Sequence, residues 1–321
     1  MEIYGTLGPA CANAAVLEQM FRCGMTGLRL NLSHTSLEES APLLEQMRLA
    51  AERCGIRPQL LIDLQGPELR VGKQGLPLLL EEGARLPLRH LALPEHLYAA
   101  LQPETELLLD DGRLCVRVLP AGEGLVLRGG TLAPGKSVAV PGLCAALPAL
   151  TAADRKNLSL ASAFGVTGVM QSFVRSREDV EEVRTALCGT GLRHFAKLEN
   201  RAGLDSLEQW IRLPDVLVIA RGDLGNAVPL WELPGVQKRV AARARQAGKP
   251  FLVVTQMLAS MERTAVPTRA EVSDIFNAVL DGASALMLTG ETAAGRYPAE
   301  AMDYFCRTIR AAEAFLREER N

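Results

Sequence analysis

The feature that most constrains the fold of this chain is an eightfold recurrence of short apolar runs. Each run is followed by a small polar cluster, and most are then followed by an amphipathic segment with apolar residues at i, i+3 and i+4. This alternation predicts a parallel sheet, and eight units are the number that closes a (β/α)8 TIM barrel. A doubly wound sheet would more often show five or six strands and a glycine-rich fingerprint after the first. The predicted strands are residues 3–7, 27–32, 59–64, 166–173, 194–198, 216–220, 250–255 and 285–289.

One long stretch breaks this rhythm after the third predicted strand. Residues 71–141 are rich in Gly, Pro and Leu and show short alternating runs in place of helical spacing. We therefore predict a barrel formed by residues 1–70 and 142–321, with residues 71–141 inserted as a small β-rich lid domain. Residues 107–109 and 114–119 are predicted to pair as a hairpin, because the Asp-Gly between them supplies the positive φ angles of a tight turn. A disordered loop is the alternative for this segment.

The composition excludes several classes of protein. Hydrophobic residues make up 48% of the chain and charged residues 22%, which is the profile of a globular protein. The 35 basic and 37 acidic residues are mixed, so no basic stripe indicates a nucleic-acid or membrane partner. The first residues do not resemble a leader, and no apolar stretch reaches the ~20 residues of a membrane span, so we expect a cytoplasmic protein. The seven cysteines stand singly, without zinc-ligand spacing, and are expected to be reduced and mostly buried.

Polar residues follow almost every predicted strand. In barrels of this type the active site lies at the C-terminal ends of the strands, so these residues are expected to meet at one rim. A purely structural barrel would need only loops and helix caps there. The candidates in chain order are Arg29, Asn31, Ser33, His34, Asp63, Glu68, Arg70, Ser172, Arg175, Lys197, Glu199, Asn200, Arg221, Gly222, Asp223, Thr255, Gln256, Thr289 and Glu291.

Lys197, Glu199 and Asp223 form the most informative group. Side chains alternate along a strand, so Lys197 and Glu199 share one side of the fifth predicted strand. Taken alone, such a pair is more often a surface ion pair, and Arg-Gly-Asp at 221–223 is as often a turn with a helix cap. Two carboxylates at the ends of adjacent strands are nevertheless suited to Mg²⁺, which leaves its other positions to water and substrate. A metal, a lysine and several arginines at one rim favour phosphoryl transfer.

The motifs at these positions resemble those of the pyruvate kinase family. They occur in the family's order and are strongest across the barrel: GTLGPA, GLRLNLSH, LIDLQGPELR, SFVR, AKLEN, IARGDLG, GKPFLVVTQML, PTRAEVSD and LDGASALMLTGETAAGRYPAE. Several are highly specific, and their joint occurrence leaves little room for chance. The resemblance implies a glycolytic enzyme that transfers the phosphoryl group of phosphoenolpyruvate to ADP, giving pyruvate and ATP.

The resemblance also implies roles for matching residues. Glu199 and Asp223 would bind Mg²⁺ or Mn²⁺, while Lys197 would contact the phosphoryl group and the developing enolate. Thr289 and Glu291 would complete, with Thr255, the network that protonates the methylene carbon. The implied substrate-binding residues are Arg29 (for the phosphate), Ser172, Lys197, Arg221, Gly222, Asp223 and Thr255. The implied K⁺ ligands are Asn31, Ser33, Asp63 and the carbonyl of Leu64, and Glu68 matches the glutamate of K⁺-dependent members.

The implied nucleotide site is shared between the barrel and the insert. Its contacts would be Asn31, His34, Arg70 and Lys136, with Asp110 and Asp111 facing the cleft when the lid closes. Closure would exclude water that could otherwise accept the phosphoryl group.

The sequence also departs from the family pattern. Gln65 stands where the family usually has a lysine, Ala227 where it usually has a glutamate, and the insert is shorter than usual. We expect the chain to lack the family's usual C-terminal α/β domain, and with it control by a sugar phosphate. Assembly is then expected through barrel surfaces, as a homodimer or another small oligomer.

Two other functions compete with this interpretation. One is a Mg²⁺-dependent barrel enzyme acting on another 2-oxo acid or enol phosphate, since similar metal sites serve other chemistry on this fold. The other is a catalytically silent, nucleotide-binding regulatory protein. Lys197 and the nucleotide-facing lid argue against the first, and the presence of Glu199, Asp223 and Thr255 argues against the second.

Overall fold

The predicted strands and the insert are present in the structure, a computed structural model that describes residues 1–33, 35–72, 74–110, 112–140 and 148–319, with the backbone alone for His96. Three barrel strands come first: β1 (Glu2–Thr6), β2 (Gly27–Asn31) and β3 (Gln59–Asp63). The insert then contributes β4 (Leu69–Arg70), β5 (Leu78–Leu80), β6 (Arg85–Pro87), β7 (Glu106–Leu109), β8 (Leu114–Val118), β9 (Glu123–Arg128), β10 (Gly130–Leu132) and β11 (Ser137–Ala139). The last barrel strands are β12 (Gly168–Gln171), β13 (Arg193–Leu198), β14 (Val216–Ala220), β15 (Phe251–Val254) and β16 (Ala285–Met287).

The helices surround the barrel strands. They are α1 (Ala14–Cys23), α2 (Ala41–Cys54), α3 (Glu95–Tyr98, in the insert), α4 (Ala152–Leu160), α5 (Arg177–Leu187), α6 (Arg201–Asp205), α7 (Leu207–Trp210), α8 (Arg221–Ala227), α9 (Leu233–Gln246), α10 (Arg269–Leu280), α11 (Gly290–Ala293) and α12 (Pro298–Glu318). Short 3₁₀ turns occur at Pro9–Cys11, Leu88–Leu91, Pro120–Gly122 and Ala259–Glu262. None of the helices in the described part of the chain combines the length and hydrophobicity that a membrane span requires.

The eight barrel strands close in the order β1-β16-β15-β14-β13-β12-β3-β2, and every neighbouring pair is parallel. Their residues are buried on both faces, which explains why the runs are continuously apolar. In β3, for example, Leu61 packs inside the barrel, whereas Leu60 and Ile62 pack against the helices. This closed topology brings the C-terminal ends of all eight strands to one rim.

The insert forms antiparallel sheets with a hydrophobic cluster of their own. Six strands pair in the order β4-β11-β7-β8-β9-β6, and β10 pairs with β5. The predicted hairpin is present: Leu109 pairs with Leu114, and both Asp110 and Gly112 have positive φ angles, of 49° and 77°. Asp111 lies outside the described residues. The six-stranded sheet includes β4, so it begins two residues before the boundary at 71 that the sequence suggested.

Predicted and observed elements differ mainly at their ends. The strand predicted at 166–173 is limited to β12, because Phe173 turns the chain with a φ of 56°. The helix after β2 begins only at Ala41, since residues 37–40 form turns. At the start of α4, Thr151 and Asp154 exchange hydrogen bonds and form a capping box. Of the six cysteines in the described residues, all free, Cys11, Cys115 and Cys306 are buried, so burial of the thiols is less general than predicted.

His194 is a buried histidine whose side chain lies on the outer face of the barrel, towards the helices. It lies in β13, its Nε2 is 2.8 Å from Oε1 of Gln171, and within the described part of the chain its Nδ1 has no hydrogen-bond partner. Burial lowers its pKa from 6.5 to about 4. The unfolded chain therefore takes up a proton below pH 6.5 that the folded chain accepts only near pH 4.

We expect His194 to make the protein less stable as the pH falls from 6.5 to about 4. The unfolded state binds more protons in this window, and the shift corresponds to a loss of about 3 kcal/mol. Urea unfolding at pH 7 and pH 4.5 measures the effect, which His194→Gln should reduce. The matched control is His90→Gln, because His90 is exposed. An equal pH dependence in the wild type and His194→Gln would contradict the prediction.

Candidate active site

A polar cavity of about 230 Å³ lies at the C-terminal ends of the barrel strands, where the insert meets the barrel. Residues from both parts line it. The predicted site residues among them are Arg29, Asn31, Ser33, Asp63, Glu68, Arg70, Asp110, Lys136, Ser172, Lys197, Glu199 and Asp223. The structure thus brings residues that lie far apart in the sequence together at the C-terminal ends of the strands.

Lys197 occupies the centre of this cavity. It follows Phe195 by two positions on β13, so it points to the same side as that ring, into the barrel. Its Nζ lies 3.1 Å from each carboxylate oxygen of Asp63, 2.9 Å from Oε1 of Glu199 and 3.0 Å from Oγ of Ser172. The side chain is only 11% exposed. The K-x-E pattern is therefore a buried cluster and not a surface ion pair.

The charges in this cluster stabilise one another. Burial alone would lower the pKa of Lys197, but the carboxylates of Asp63 and Glu199 raise it above its ordinary value. Burial would likewise raise the pKa of Asp63, yet Lys197 and Arg29 hold it below its ordinary value. Both groups are therefore ionised at neutral pH. The cluster presents a fixed ammonium group to the cavity.

Arg29 adds a second cation beside Lys197. It lies in the middle of β2, and its Nε and Nη2 are each 2.7 Å from Oδ2 of Asp63. Asn31, two residues further along the same strand, accepts a hydrogen bond from the backbone N–H of Ser33 at 3.1 Å. Arg29 and Asn31 also line a neighbouring cavity of about 800 Å³, so the two cavities adjoin on that side.

The turn after β3 is fixed by Asp154, which lies in the first turn of α4 and is not among the site residues predicted from the sequence. This carboxylate is buried and accepts hydrogen bonds from the backbone N–H groups of Gln65 at 2.9 Å and Gly66 at 3.1 Å. Gly66 has a φ of 61°, and a Cβ there would lie 3.0 Å from the carbonyl oxygen of Ser172. The turn is therefore held between Asp154 and Ser172, next to Asp63.

Leu64 lies beside the polar cavity and does not line it. Its side chain is buried, and its carbonyl oxygen is 2.6 Å from the hydroxyl of Ser172. Of the predicted K⁺ ligands, Asn31, Ser33 and Asp63 line the cavity. All four positions nevertheless belong to two adjacent strand ends.

Glu199 and Asp223 lie at the ends of the neighbouring strands β13 and β14 and both line the cavity. Glu199 is held by Lys197 through Oε1 and by the backbone N–H of Phe173, 2.7 Å from Oε2. Asp223 lies in the first turn of α8. Two carboxylates at a partly open polar cavity match the hard oxygen donors that Mg²⁺ takes from proteins. Within the described residues, no group of three or more Asp, Glu, His or Cys side chains is arranged to hold a metal ion by itself.

The insert contributes two ion pairs to the cavity. Arg70 Nε is 2.8 Å from Glu68, and Lys136 Nζ is 2.7 Å from Asp110. Burial raises the pKa of Glu68 in spite of the adjacent guanidinium of Arg70. His34, the remaining predicted nucleotide contact, lies outside the described residues.

The predicted rim residues that do not line the polar cavity include Arg221, Thr289 and Glu291. The Arg221 guanidinium turns away, donating to the carbonyl oxygen of Thr255 at 2.7 Å and pairing with Asp274 at 2.6 Å. The buried Glu291 accepts hydrogen bonds from the backbone N–H groups of Leu258 at 2.9 Å and Thr289 at 2.7 Å. The loops that follow the last strands are thus held to one another by hydrogen bonds of Arg221, Thr289 and Glu291.

Thr255 is held in an unusual backbone conformation at the end of β15. Its φ is 83°, which a β-branched residue rarely adopts, and Gln256 follows at 54°. A Cβ on Gly222 would lie 3.1 Å from Cγ2 of Thr255, so the glycine allows the two loops to approach. Such strain persists where the surrounding structure enforces it, and it marks Thr255 as a candidate for function. Sequence reasoning identified the residue but not the strain.

The closed barrel and the charged cavity at its C-terminal mouth place the protein in the class of (β/α)8 barrel enzymes. A family model described as pyruvate kinase, barrel domain, matches residues 1–302. The pyruvate kinase of Methylorubrum extorquens is 39% identical over 328 residues, covering 97% of this chain and 68% of the relative. Those of Aeropyrum pernix and Mycobacterium tuberculosis are each 38% identical, covering 96% and 97% of this chain and 69% and 70% of the relatives.

The chain belongs to the pyruvate kinase family, and its relatives are phosphotransferases.

We expect Asp154→Asn to weaken both the fold and the site. An amide offers one acceptor where the carboxylate offers two, so the N–H groups of Gly66 and Thr151 would face a donor, at a cost of about 1–3 kcal/mol. If the turn positions Asp63, the K⁺ concentration for half-maximal activation should also rise roughly 10-fold. Urea unfolding and K⁺ titration of activity measure the two effects, with Asp205→Asn on the surface as the control. Lost stability with unchanged K⁺ activation would leave Asp154 a purely structural residue.

Proposed function

We propose that this protein transfers the phosphoryl group of phosphoenolpyruvate to ADP, giving pyruvate and ATP. In this reaction the bond between phosphorus and the enol oxygen breaks, a bond to the terminal oxygen of ADP forms, and the enolate takes a proton at its methylene carbon. The observation that carries the proposal is the buried ammonium of Lys197, fixed between Asp63 and Glu199 at the floor of the cavity. Membership of the family supplies the reaction class.

Lys197 and Arg29 are proposed to bind the phosphoryl group. Both are cations, and the ion pairs with Asp63 fix their positions before substrate binds. Charges held in place stabilise a transition state without the cost of reorganising solvent. Lys197 also lies close enough to Glu199 to contact an enolate that forms beside a bound cation.

Glu199 and Asp223 are the residues that would hold Mg²⁺ or Mn²⁺. Both carboxylates line the cavity, and each belongs to a different strand end, so oxygens of substrate and water can complete the coordination. When bound, the divalent cation supplies positive charge that offsets the developing negative charge of the enolate and phosphoryl oxygens. Phe173 orients one of the two ligands through its backbone N–H.

A K⁺ site is proposed at the ends of β2 and β3. Asn31, Ser33 and Asp63 supply side-chain oxygens there, and the carbonyl of Leu64 lies at the next position along the chain. Ser172 holds that carbonyl and also contacts Lys197. A monovalent cation at this place would lie beside the phosphoryl group.

The substrate carboxylate is proposed to lie along the backbone of Gly222 and Asp223, next to Thr255. The glycine leaves room for an anion at the start of α8, and Arg221 fixes this loop by its bond to the carbonyl of Thr255. The hydroxyl of Thr255 would face the methylene carbon and deliver the proton. Thr289 and Glu291 would support it by holding the adjacent loops.

The nucleotide is proposed to bind between the barrel and the insert on the side of β2. Arg70 and Lys136 supply positive charge from the insert, and His34 follows β2 in the sequence. Asn31 lines both the polar cavity and the 800 Å³ cavity beyond it, which has room for the base and ribose. Movement of the insert as a lid would exclude water during transfer.

A homodimer formed through barrel surfaces and a cytoplasmic location stay predictions. Light scattering on the purified chain measures the first. A mass of one chain, 34.6 kDa, would contradict it.

The experiment that tests the proposal is pyruvate formation from phosphoenolpyruvate, ADP and Mg²⁺, followed through a coupled dehydrogenase with and without K⁺. The proposal predicts turnover that requires ADP and Mg²⁺ and increases with K⁺. Turnover of a different 2-oxo acid or enol phosphate alone would favour the other barrel enzyme. Nucleotide binding without any turnover would favour a regulatory protein.

A further inference from the structure

A second cavity, of about 540 Å³, borders the polar cavity on the opposite side from β2. The two cavities share part of their walls, including Phe173 and Glu199. Asn31, Arg70 and Lys136, the nucleotide contacts proposed above, do not line it. Glu68, Glu199 and Asp223 also belong to the wall that the two cavities share, so the metal and substrate groups proposed above border the second cavity on one side only.

The walls of the second cavity are mainly apolar and come from both parts of the molecule. Leu108, Val138 and Val140 belong to the insert, while Ala202 and Ala227 belong to the barrel. The family usually has a glutamate where Ala227 stands, so this chain has an uncharged wall where a carboxylate is usual. A ligand in contact with these walls would bury apolar surface on the insert and the barrel together.

The charged side chains at the rim are already paired within the protein. Arg175 is 2.8 Å from Asp179, and Arg201 is 2.9 Å from Asp205. The carboxylate of Glu199, on the side shared with the polar cavity, is bound to Lys197. A charged ligand would have to compete with these pairs, whereas an uncharged one would not.

The position of the cavity links it to the insert. Residues at both ends of the insert line it, residues 67–69 at its start and residues 137–140 at its end. Gly112, in the turn of the insert hairpin, lies there as well, close to Asn226 of α8. A ligand bound here would contact both ends of the insert and the barrel at the same time.

We propose that the 540 Å³ cavity binds an uncharged, largely apolar small molecule, as an effector site separate from the substrate and nucleotide sites. The volume is within the range of ligand pockets for compounds of this size, about 300–1,000 Å³. Because the walls include both ends of the insert together with α6 and α8 of the barrel, occupancy fixes the insert relative to the barrel.

The test uses the fluorescence of N-phenyl-1-naphthylamine, an uncharged apolar probe, on the full chain. We expect saturable binding that persists with saturating phosphoenolpyruvate, ADP and Mg²⁺. Ala202→Phe and Ala227→Leu, which fill the cavity from two sides, should each weaken binding at least about 10-fold while turnover stays within about twofold of the wild type. Ala311→Phe, on an exposed face of α12, is the matched control and should leave binding unchanged.

Three results would overturn the proposal. The first is the absence of saturable binding by the wild type. The second is unchanged binding by both cavity variants when circular dichroism shows that they are folded. The third is displacement of the probe by ADP, which would assign the cavity to the nucleotide site. Probe binding does not depend on turnover, so these outcomes are distinguishable from a failure of the proposed catalytic function.

Discussion

Replacing Lys197 with methionine is expected to lower kcat by roughly 10²- to 10³-fold, because it removes a fixed charge from the position where negative charge develops. KM for phosphoenolpyruvate should change less than kcat, since the ammonium is needed most in the transition state. The measurement is steady-state pyruvate formation at saturating ADP, Mg²⁺ and K⁺.

The same substitution should also reduce stability, which requires a control. Methionine leaves the buried carboxylates of Asp63 and Glu199 without their shared cation, and breaking such a pair costs about 3–5 kcal/mol. Thermal unfolding followed by circular dichroism will show whether the variant is folded at the assay temperature. Lys238→Met removes a half-exposed lysine from an ion pair on α9 and should leave kcat within about twofold. A folded Lys197→Met variant within tenfold of the wild-type kcat would refute the role.

Glu199→Gln and Asp223→Asn are each expected to raise the Mg²⁺ concentration for half-maximal activity by at least about 10-fold. Each substitution keeps the size of the side chain and removes one of the two charged ligands that the structure offers to a hard cation. Activity is titrated against Mg²⁺, and binding of Mn²⁺ is measured separately by electron paramagnetic resonance. The second measurement detects the metal site even if turnover is lost.

The controls for the metal prediction are chosen by charge and exposure. Asp205→Asn removes a carboxylate that is paired with Arg201 at the surface. Glu232→Gln removes an exposed carboxylate just before α9. Both should leave the Mg²⁺ requirement unchanged. If Mn²⁺ affinity is the same in Glu199→Gln, Asp223→Asn and the wild type, the metal lies elsewhere.

The barrel could be predicted because its strands are buried on both faces. The strand at 216–220 matches β14 at both ends, since Val216, Val218 and Ala220 face the interior while their neighbours face the helices. The strand at 166–173 was predicted too long, because the apolar run continues through residues that turn. In the insert, strands of two or three residues such as β4 and β5 are too short for a period to appear.

The sequence predicts those features of the site that depend on where strands end and on the alternation of side chains along a strand. Lys197 and Glu199 share a side of β13 as predicted, but their common contact with Asp63 depends on the barrel closing. The backbone N–H of Gln65 donates to the carboxylate of Asp154, 89 positions away in the sequence, so no local pattern shows this hydrogen bond. The inward or outward direction of Arg221 depends on its contact with Asp274, which is likewise tertiary.

The central claim is that phosphorus moves from an enol phosphate to ADP in the cavity around Lys197. ³¹P nuclear magnetic resonance of the chain with phosphoenolpyruvate, ADP, Mg²⁺ and K⁺ follows that phosphorus directly. The account predicts that the phosphoenolpyruvate resonance decays as the γ-phosphate resonance of ATP grows in equal amount, and that Lys197→Met suppresses this exchange. Decay to inorganic phosphate alone, or a mixture that stays unchanged while the wild-type chain is folded, would contradict it.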